Sequence, residues 1–449
     1  MNIIKKSIIK IFALTAFLMG AVSCSEKPVD DVKPIGDPNE KPDASYVFYE
    51  ANPRVFATSN QLNAITDRLQ NIKDLGVDVI WLMPICEQGK LKAIGSPYCI
   101  KDFTKVHPQY GTIDDLKNLV KKAHGMGMKV ILDWIANHTS WDNPWIENKG
   151  WHSTDAEGNV ISPPGFNWTD VADLNFNNAD MRAAMKDAMA YWVTEAGIDG
   201  FRCDYAEGVP QDFWTDALAY LRTLDEDIIL LAEGDKDWIY TVGFDVMYAW
   251  SFPSALEKVF GGNSGAASIF DSYRNDMKSV PEGKSRMRYI INHDTASEKS
   301  PISRYGGEKG SMAAFVMATM LEGCPLIYSS QEVGYKNSLS FFSNNVMKWD
   351  SNKAYTDEYI KVMKAYNSTR DVRVAEPVMA NTGNVAKMTF KNSKNEMLVV
   401  MVNTKNEEAT VKVPLDFVGA QVTDLMTGAT VVPTSSMDMQ PYQYYIFRK

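Results

Sequence analysis

The chain is expected to fold as a (β/α)8 barrel, an α/β fold, with a short inserted domain after strand three and a C-terminal antiparallel β domain. Three observations point there. From Tyr46 onward, a β-rich apolar run, a loop and a helical stretch recur eight times. The interval after the third run is too long for an ordinary loop. Beyond about residue 372 the runs shorten and are separated by turn residues instead of helices.

The eight runs are "YVFYEA", "VDVIWLMPI", "KVILDWIA", "GIDGFRC", "DIILLAE", "FDVMYAW", "RMRYIIN" and "CPLIYSS". Each is apolar along its length, as strands of a covered parallel sheet are. Eight helix-linked units suggest a closed barrel rather than an open sheet. Among the helices, Leu62, Ile65, Leu69, Ile72 and Leu75 form a stripe of period near 3.6 that Gly76 stops. Leu116, Leu119, Val120 and Ala123 form another behind Thr112, which with Asp115 has the pattern of a capping box. Between the third run and a helix starting near Ala179, residues 139–178 carry Trp141, Trp145, Trp151 and Trp168 and read as a small domain over the barrel mouth. In residues 372–449, the runs "AKMTF", "MLVVMVN", "ATVKVPL", "QVTDLMTG" and "YQYYIF" predict a β-sandwich, with Val411, Val413 and Leu415 alternating at period two.

A chain of 449 residues, 45% hydrophobic and 23% charged, can bury a large core and a second, smaller one. Its formal net charge of −10 and the lack of a Lys/Arg run argue against nucleic acid or an anionic membrane surface as the main partner. Neutral or cationic ligands fit better.

At the N-terminus, Lys5, Lys6 and Lys10 precede an apolar stretch, Ile11 to Val22, that is short for a membrane span and suited to a signal-peptide core. The following "AVSC" resembles a bacterial lipoprotein signal, in which Cys24 is lipidated and becomes the mature N-terminus. That implies a protein of the bacterial cell envelope whose only membrane contact is a lipid; a plain secretory signal, the alternative, implies a secreted or periplasmic one. Residues 25–45, rich in Pro, Asp, Glu and Lys, read as a flexible tether ahead of a catalytic barrel spanning 46–371. Cys86, Cys99, Cys203 and Cys324 have no metal-ligand spacing. Cys86 and Cys99 can pair in an oxidising envelope, or all four can be buried thiols.

Barrels of this kind carry their chemistry at the C-terminal strand ends. Those ends supply Asn137 and His138 after strand three, Arg202 and Asp204 after strand four, Glu233 after strand five, and His293 and Asp294 after strand seven. Neighbouring strands lie roughly 4.8 Å apart, so Asp204 and Glu233 can hold their carboxyl groups close together. Retaining glycosidases need about 5 to 5.5 Å between such groups, and inverting ones about 6.5 to 9.5 Å to admit water. Adjacent tips favour retention. Arg202, two positions from Asp204 on the same side of the strand, would keep that carboxylate ionised. Glu233 ends the apolar run "IILLAE", where partial burial would keep it protonated. Taken singly, each motif has a plain structural reading: an ion pair, a turn, a core histidine. Their ordered recurrence at successive strand ends carries the functional one.

These residues resemble the α-amylase family, family 13 of the glycoside hydrolases. "DWIANH" (133–138), "GFRCD" (200–204), "AEG" around Glu233 and "NHD" (292–294) match its four short regions in order, and "VADLN" (171–175) its fifth. The resemblance implies Asp204 as nucleophile, Glu233 as general acid/base and Asp294 as a third carboxylate that stabilises the transition state. Arg202, His138 and His293 would line the same subsite, and Tyr98 would stack on the sugar. It also implies α-glucosidic bonds in starch, glycogen or maltodextrins as substrate, a structural Ca2+ held in part by Asn137 and Asp173, and no cofactor for the chemistry. The tryptophans of the inserted domain can extend a glycan platform, although packing is their commoner use. After the nucleophile the chain reads Tyr205, Ala206, Glu207, Gly208, where many members have two small residues and then Lys and His on the acceptor side. That departure leaves glycosyl transfer open beside hydrolysis. On the enzyme reading the protein feeds oligosaccharides to glycan-uptake machinery; a non-catalytic glycan-binding lipoprotein on a degenerate barrel is the alternative from another class. A serine hydrolase has no support, since there is no G-x-S-x-G elbow.

Overall fold

The computed structural model describes residues 45–374 and 376–449. The signal stretch, Cys24 and the tether up to residue 44 lie outside them. Eight parallel strands form the barrel: β1 (Phe48–Ala51), β2 (Val79–Leu82), β3 (Lys129–Trp134), β4 (Gly200–Cys203), β5 (Ile229–Ala232), β6 (Val246–Tyr248), β7 (Ser285–Arg288) and β8 (Cys324–Tyr328). Each pairs with its chain neighbours, and β1 pairs with both β2 and β8, which closes the sheet. The fold anticipated from the eightfold alternation is the fold observed. Among the described residues, no helix is long and apolar enough to cross a membrane.

Period-two alternation divides each strand between two cores. Phe48, Val79, Trp81, Ile131, Ile229, Leu231, Val246, Tyr248 and Met287 fill the barrel interior. Tyr49, Ile80, Leu82, Val130, Leu132, Phe201 and Leu230 face the surrounding helices. This parity places the site, because the inward positions at the upper strand ends are Glu50, Asp133 and Arg202. Gly200 opens β4 with no side chain because a Cβ there would sit 2.0 Å from the Ile229 carbonyl oxygen of β5.

The apolar stripe from Leu62 to Leu75 is buried, but it is split into helices Gln61–Asp67 and Leu69–Asp74, with Gly76 in the left-handed region at φ 73°. Thr112 caps helix Ile113–Gly125 in a reciprocal box with Asp115. After β2, an antiparallel hairpin of Cys86–Gln88 and Ile100–Val106 projects from the barrel, and it has no counterpart in the eightfold reading. Its short arm has too few residues for a strand periodicity to show. Between β3 and helix Ala179–Tyr191, the strands His138–Ser140 and Val171–Asp173 pair antiparallel around an irregular loop. The four described cysteines are buried, and no disulfide joins Cys86 to Cys99.

Helix Glu308–Met320 is buried on every side from Gly310 onward, because a C-terminal sheet covers the face turned away from the barrel. The C-terminal strands are β9 (Val378–Thr382), β10 (Val385–Lys391), β11 (Met397–Asn403), β12 (Ala409–Lys412), β13 (Val422–Asp424), β14 (Thr430–Val431), β15 (Ser436–Met439) and β16 (Tyr444–Arg448). Six form one antiparallel sheet in the order β9-β10-β11-β16-β13-β14, and β12 pairs with β15. In β11, Leu398, Val400 and Val402 join the barrel's outer core, while Val399 and Met401 join the smaller core. The alternation expected at 411, 413 and 415 breaks at its last position. Pro414 ends the run, and Leu415 starts a 3-10 turn, 88% exposed.

Candidate active site

Arg202 is fully buried at the upper end of β4, a position that is costly for a guanidinium unless every side of it is paired. Its Nη1 lies 2.8 Å from Asp133 Oδ1 and 2.8 Å from Asp204 Oδ1, and its Nη2 lies 3.0 Å from Glu233 Oε2. Nε donates to the Tyr248 hydroxyl at 3.3 Å, and the Trp81 ring lies 5.0 Å from the guanidinium carbon. One cation is thus shared by three carboxyl groups from β3, the end of β4 and the end of β5.

Asp204 and Glu233 continue the backbone ladder just beyond their strands: the Asp204 N–H donates to the Trp134 carbonyl, and the Glu233 N–H to that of Cys203. Their side chains therefore keep the inward parity of Arg202 and Leu231. Glu233 Oε2 accepts a further hydrogen bond from the backbone N–H of Tyr205 at 2.7 Å. Burial pushes its carboxyl up to about 7; Asp204 and Asp294 add to the rise and Arg202 opposes it. Burial also raises Asp204 above the ordinary carboxylate range, against the pull of Arg202. Burial pushes Asp133, which shares Arg202 Nη1 with Asp204, up to about 6. Three carboxyl groups around one guanidinium cannot all ionise cheaply. The proton rests most readily on Glu233.

Asp294 stands in the first turn of helix His293–Glu298, whose cap Asn292 forms a reciprocal box with Thr295. Its side chain is 49% exposed, the most open of the three predicted carboxylates. His293 links it to the barrel: Nδ1 is 2.5 Å from Glu50 Oε1, and Nε2 is 2.8 Å from the Tyr98 hydroxyl and 3.3 Å from Asp294 Oδ1. Burial opposes charge on His293, but Asp294 and Glu50 outweigh it and raise the ring to about 9. The ring is therefore an imidazolium at neutral pH. Tyr98 also donates to Asp133 Oδ2 at 3.2 Å, and its ring stacks on His293 at 5.4 Å between centroids. His138 joins one step further out, with Nε2 3.2 Å from the Tyr98 carbonyl, and burial lowers it to about 4. It is a neutral ring.

Two acids of this network, Asp133 and Glu50, were not among the expected site residues. Both are acids inside otherwise apolar runs, at inward positions near the strand end, so strand parity alone would have singled them out.

Asn137, whose Nδ2 lies 3.4 Å from His138 Nδ1, and Asp173, which pairs with His138 across the hairpin, sit on a cavity of about 290 Å3 that Ser153, Asn175, Asn177, Tyr205 and Gly208 also line. The side-chain donors are neutral oxygens plus one carboxylate, which burial raises despite a hydrogen bond with Ser153. Oxygen donors match calcium's preference, but one carboxylate supplies a single charge where tight sites gather several. Among the described residues, no three His, Cys, Asp or Glu side chains gather to hold a metal. The two predicted ligands do not amount to a calcium site by themselves.

A closed (β/α)8 barrel with paired carboxyl groups at neighbouring strand tips, one poised to hold a proton at neutral pH, defines a glycoside hydrolase. The chain belongs to the alpha-amylase family: the profile described as "Alpha amylase, catalytic domain" matches residues 47–159 and 166–413. It is 30% identical over 413 residues to alpha-amylase MalA of Haloarcula japonica, covering 85% of this chain and 58% of that one. It is 26% identical over 419 residues to a cyclomaltodextrinase of Geobacillus thermopakistaniensis, covering 86% and 70% of the two chains. Among solved structures, an alpha-amylase from Lactobacillus plantarum superposes with a TM-score of 0.80 at 26% identity, over 90% of this chain and 99% of that one.

Proposed function

We propose that the protein is a retaining glycoside hydrolase that cuts α-glucosidic bonds in starch, glycogen or maltodextrin-type glucans through a covalent glycosyl-enzyme intermediate. The observation that carries this reading is the shared guanidinium: Arg202 touches Asp204 through one terminal nitrogen and Glu233 through the other. Two carboxyl groups held on one fork leave little room for a water between them, which is the arrangement retention requires. Asp204 attacks the anomeric carbon as the nucleophile. Glu233 gives its proton to the departing glycosidic oxygen, then takes one from the water that releases the sugar. Asp294, with the His293 imidazolium beside it, binds ring hydroxyls and stabilises the oxocarbenium-like transition state. Tyr98 and His138 position the same sugar. Carboxyl groups and water supply the whole reaction, and no step runs through a cation at Asn137 and Asp173.

Relatives named as an alpha-amylase and a cyclomaltodextrinase support an α-glucan as substrate. The chain spans 58% of the length of MalA, so MalA's activity as a whole protein carries over only within this proposal. The test is turnover of maltoheptaose followed by proton NMR. An α-configured first product supports retention, and a β-configured one overturns it. Asp204→Asn and Glu233→Gln should each cost about 100-fold or more in kcat. Binding without turnover by the unmodified protein would favour a glycan-binding lipoprotein instead.

We also propose that Cys24 carries a lipid that holds the protein on the cell envelope, where it would supply oligosaccharides to uptake machinery; the N-terminal sequence pattern supports this. Incorporation of an alkyne-labelled fatty acid by the unmodified chain but not by Cys24→Ala is the expected result.

A further inference from the structure

Asp294 differs from the other two predicted carboxylates in what holds it. Asp204 and Glu233 continue barrel strands and meet Arg202 directly. Asp294 stands on helix His293–Glu298, six residues long, and its own side-chain contacts are loose: 3.3 Å to His293 Nε2 and 3.4 Å to Asn292 Nδ2. The place of its carboxylate is therefore set by the place of that helix. A helix of under two turns does not hold itself, so tertiary contacts must fix it.

Bonds from outside the helix reach its carbonyl groups. The Leu339 N–H, from the loop after β8, donates to the Ala296 carbonyl at 2.7 Å. Arg304, which ends helix Pro301–Arg304, donates through Nη2 to the Thr295 carbonyl at 3.0 Å, one residue from Asp294, and to Glu298 Oε2 at 3.3 Å. Its Nη1 donates at 2.5 Å to Oε2 of Glu257, on helix Ser251–Phe260, which follows β6. One guanidinium fork thus joins the helix after β6 to the helix that carries Asp294. The Arg304 side chain is 9% exposed, and its Nε is buried without a partner. An unpaired buried donor costs stability, so fold stability alone does not account for an arginine here. Residues that serve a site commonly carry such a cost.

Resting on the hydrolase reading above, in which Asp294 stabilises the transition state, we propose that Arg304 is a positioning residue for the reaction: held by Glu257, it fixes the Thr295 carbonyl and so aims the Asp294 carboxylate at the sugar. It touches no substrate and acts only through Asp294. Misplacing a reacting or stabilising group by about 1 Å can cost about 100-fold in rate. With the Asn292 cap and the Leu339 bond still in place, loss of the fork should cost about ten-fold.

The experiment is a double-mutant cycle read as fluoride release from α-maltosyl fluoride, whose reactive leaving group keeps weak variants measurable. Arg304→Gln should lower kcat about ten-fold in the unmodified protein and less than about two-fold in Asp294→Asn, where no carboxylate remains to aim. If Arg304→Gln shows no cooperative urea transition, Glu257→Gln, at the more exposed end of the pair, takes its place in the cycle, with a fall of about three-fold expected in the unmodified protein alone. Equal falls in both backgrounds mark general structural damage and overturn the proposal, as does no fall in the unmodified protein. Full activity of Asp294→Asn would overturn the role given to Asp294, and no fluoride release by the unmodified protein would overturn the hydrolase reading; the proposal falls with either.

Discussion

Replacing Asp204 by Asn removes one negative charge from the Arg202 cluster with almost no change in shape, and the carboxyl group of Glu233 should report the loss. In the unmodified protein burial holds that group near 7, helped by the charges of Asp204 and Asp294. Asp204 and Glu233 lie 2.8 Å and 3.0 Å from the two terminal nitrogens of one guanidinium. At the separation of about 5 Å that retention requires, and at an effective dielectric near 20, one unit charge raises its neighbour by about 3 kcal/mol, or about 2 in pKa. Arg202, relieved of one carboxylate, also pulls harder on Glu233. Both effects have the same sign, so Glu233 in the variant should titrate at about 5. Infrared difference spectra between Asp204→Asn and Asp204→Asn/Glu233→Gln isolate this carboxyl and follow it from pH 4 to 9. A midpoint in the variant at or above that of the unmodified protein would refute the shared-cation account. In the proposed retaining mechanism the same coupling would serve turnover: esterification of Asp204 by the sugar would remove its charge and lower Glu233, which could then act as the base of the second half-reaction.

Glu50→Gln tests the pair that keeps His293 charged. Asp294 and Glu50 raise its pKa from 6.5 to about 9, worth about 3 kcal/mol in total, and loss of Glu50 should forfeit about 1 to 2 kcal/mol. A group raised on folding stabilises fully below its unfolded pKa and loses that contribution as pH climbs through the folded one. The urea midpoints of variant and unmodified protein should therefore differ at pH 6 and converge above about pH 9.5. Gly200→Ala should cost about 3 kcal/mol or more, read from the urea midpoint, because its methyl group would meet the Ile229 carbonyl inside the sheet. Chelation with EDTA should shift the thermal midpoint by less than about 2 °C, since one carboxylate among neutral oxygens binds Ca2+ weakly.

The barrel was legible because each of its strands is a short apolar run with a helical pattern behind it, and neither signal depends on distant contacts. The Cys86–Gln88 hairpin was not, because its pairing with Ile100–Val106 is tertiary and irregular in register. Leu415 was misplaced for a local reason: alternation continued in composition after Pro414 had ended the strand. At the site, residues that end strands were visible from position alone. Glu50 and Asp133 were hidden by the apolar runs they sit in, although inward parity would have exposed them. The pairing of Arg202 with Asp204 was expected from spacing. Its contacts with Asp133 and Glu233 depend on which strands are neighbours, and only closure of the barrel supplies that.

The buried arginine also explains why this site sits on a barrel rather than on loops alone. A guanidinium with three carboxyl groups is unfavourable unless its geometry is fixed before the substrate arrives, since any slack leaves a charge unpaired in low dielectric. Here the lower barrel interior is filled by Val79, Ile131, Ile229, Val246 and Met287, so Arg202 has no room to retreat. Trp81 donates to Asp133 Oδ2 at 3.1 Å, and Tyr248 meets the guanidinium Nε from β6. The cost of the cluster is thus met by packing in the layer beneath it. In return the protein keeps one proton movable, on Glu233, among groups that are otherwise held in place.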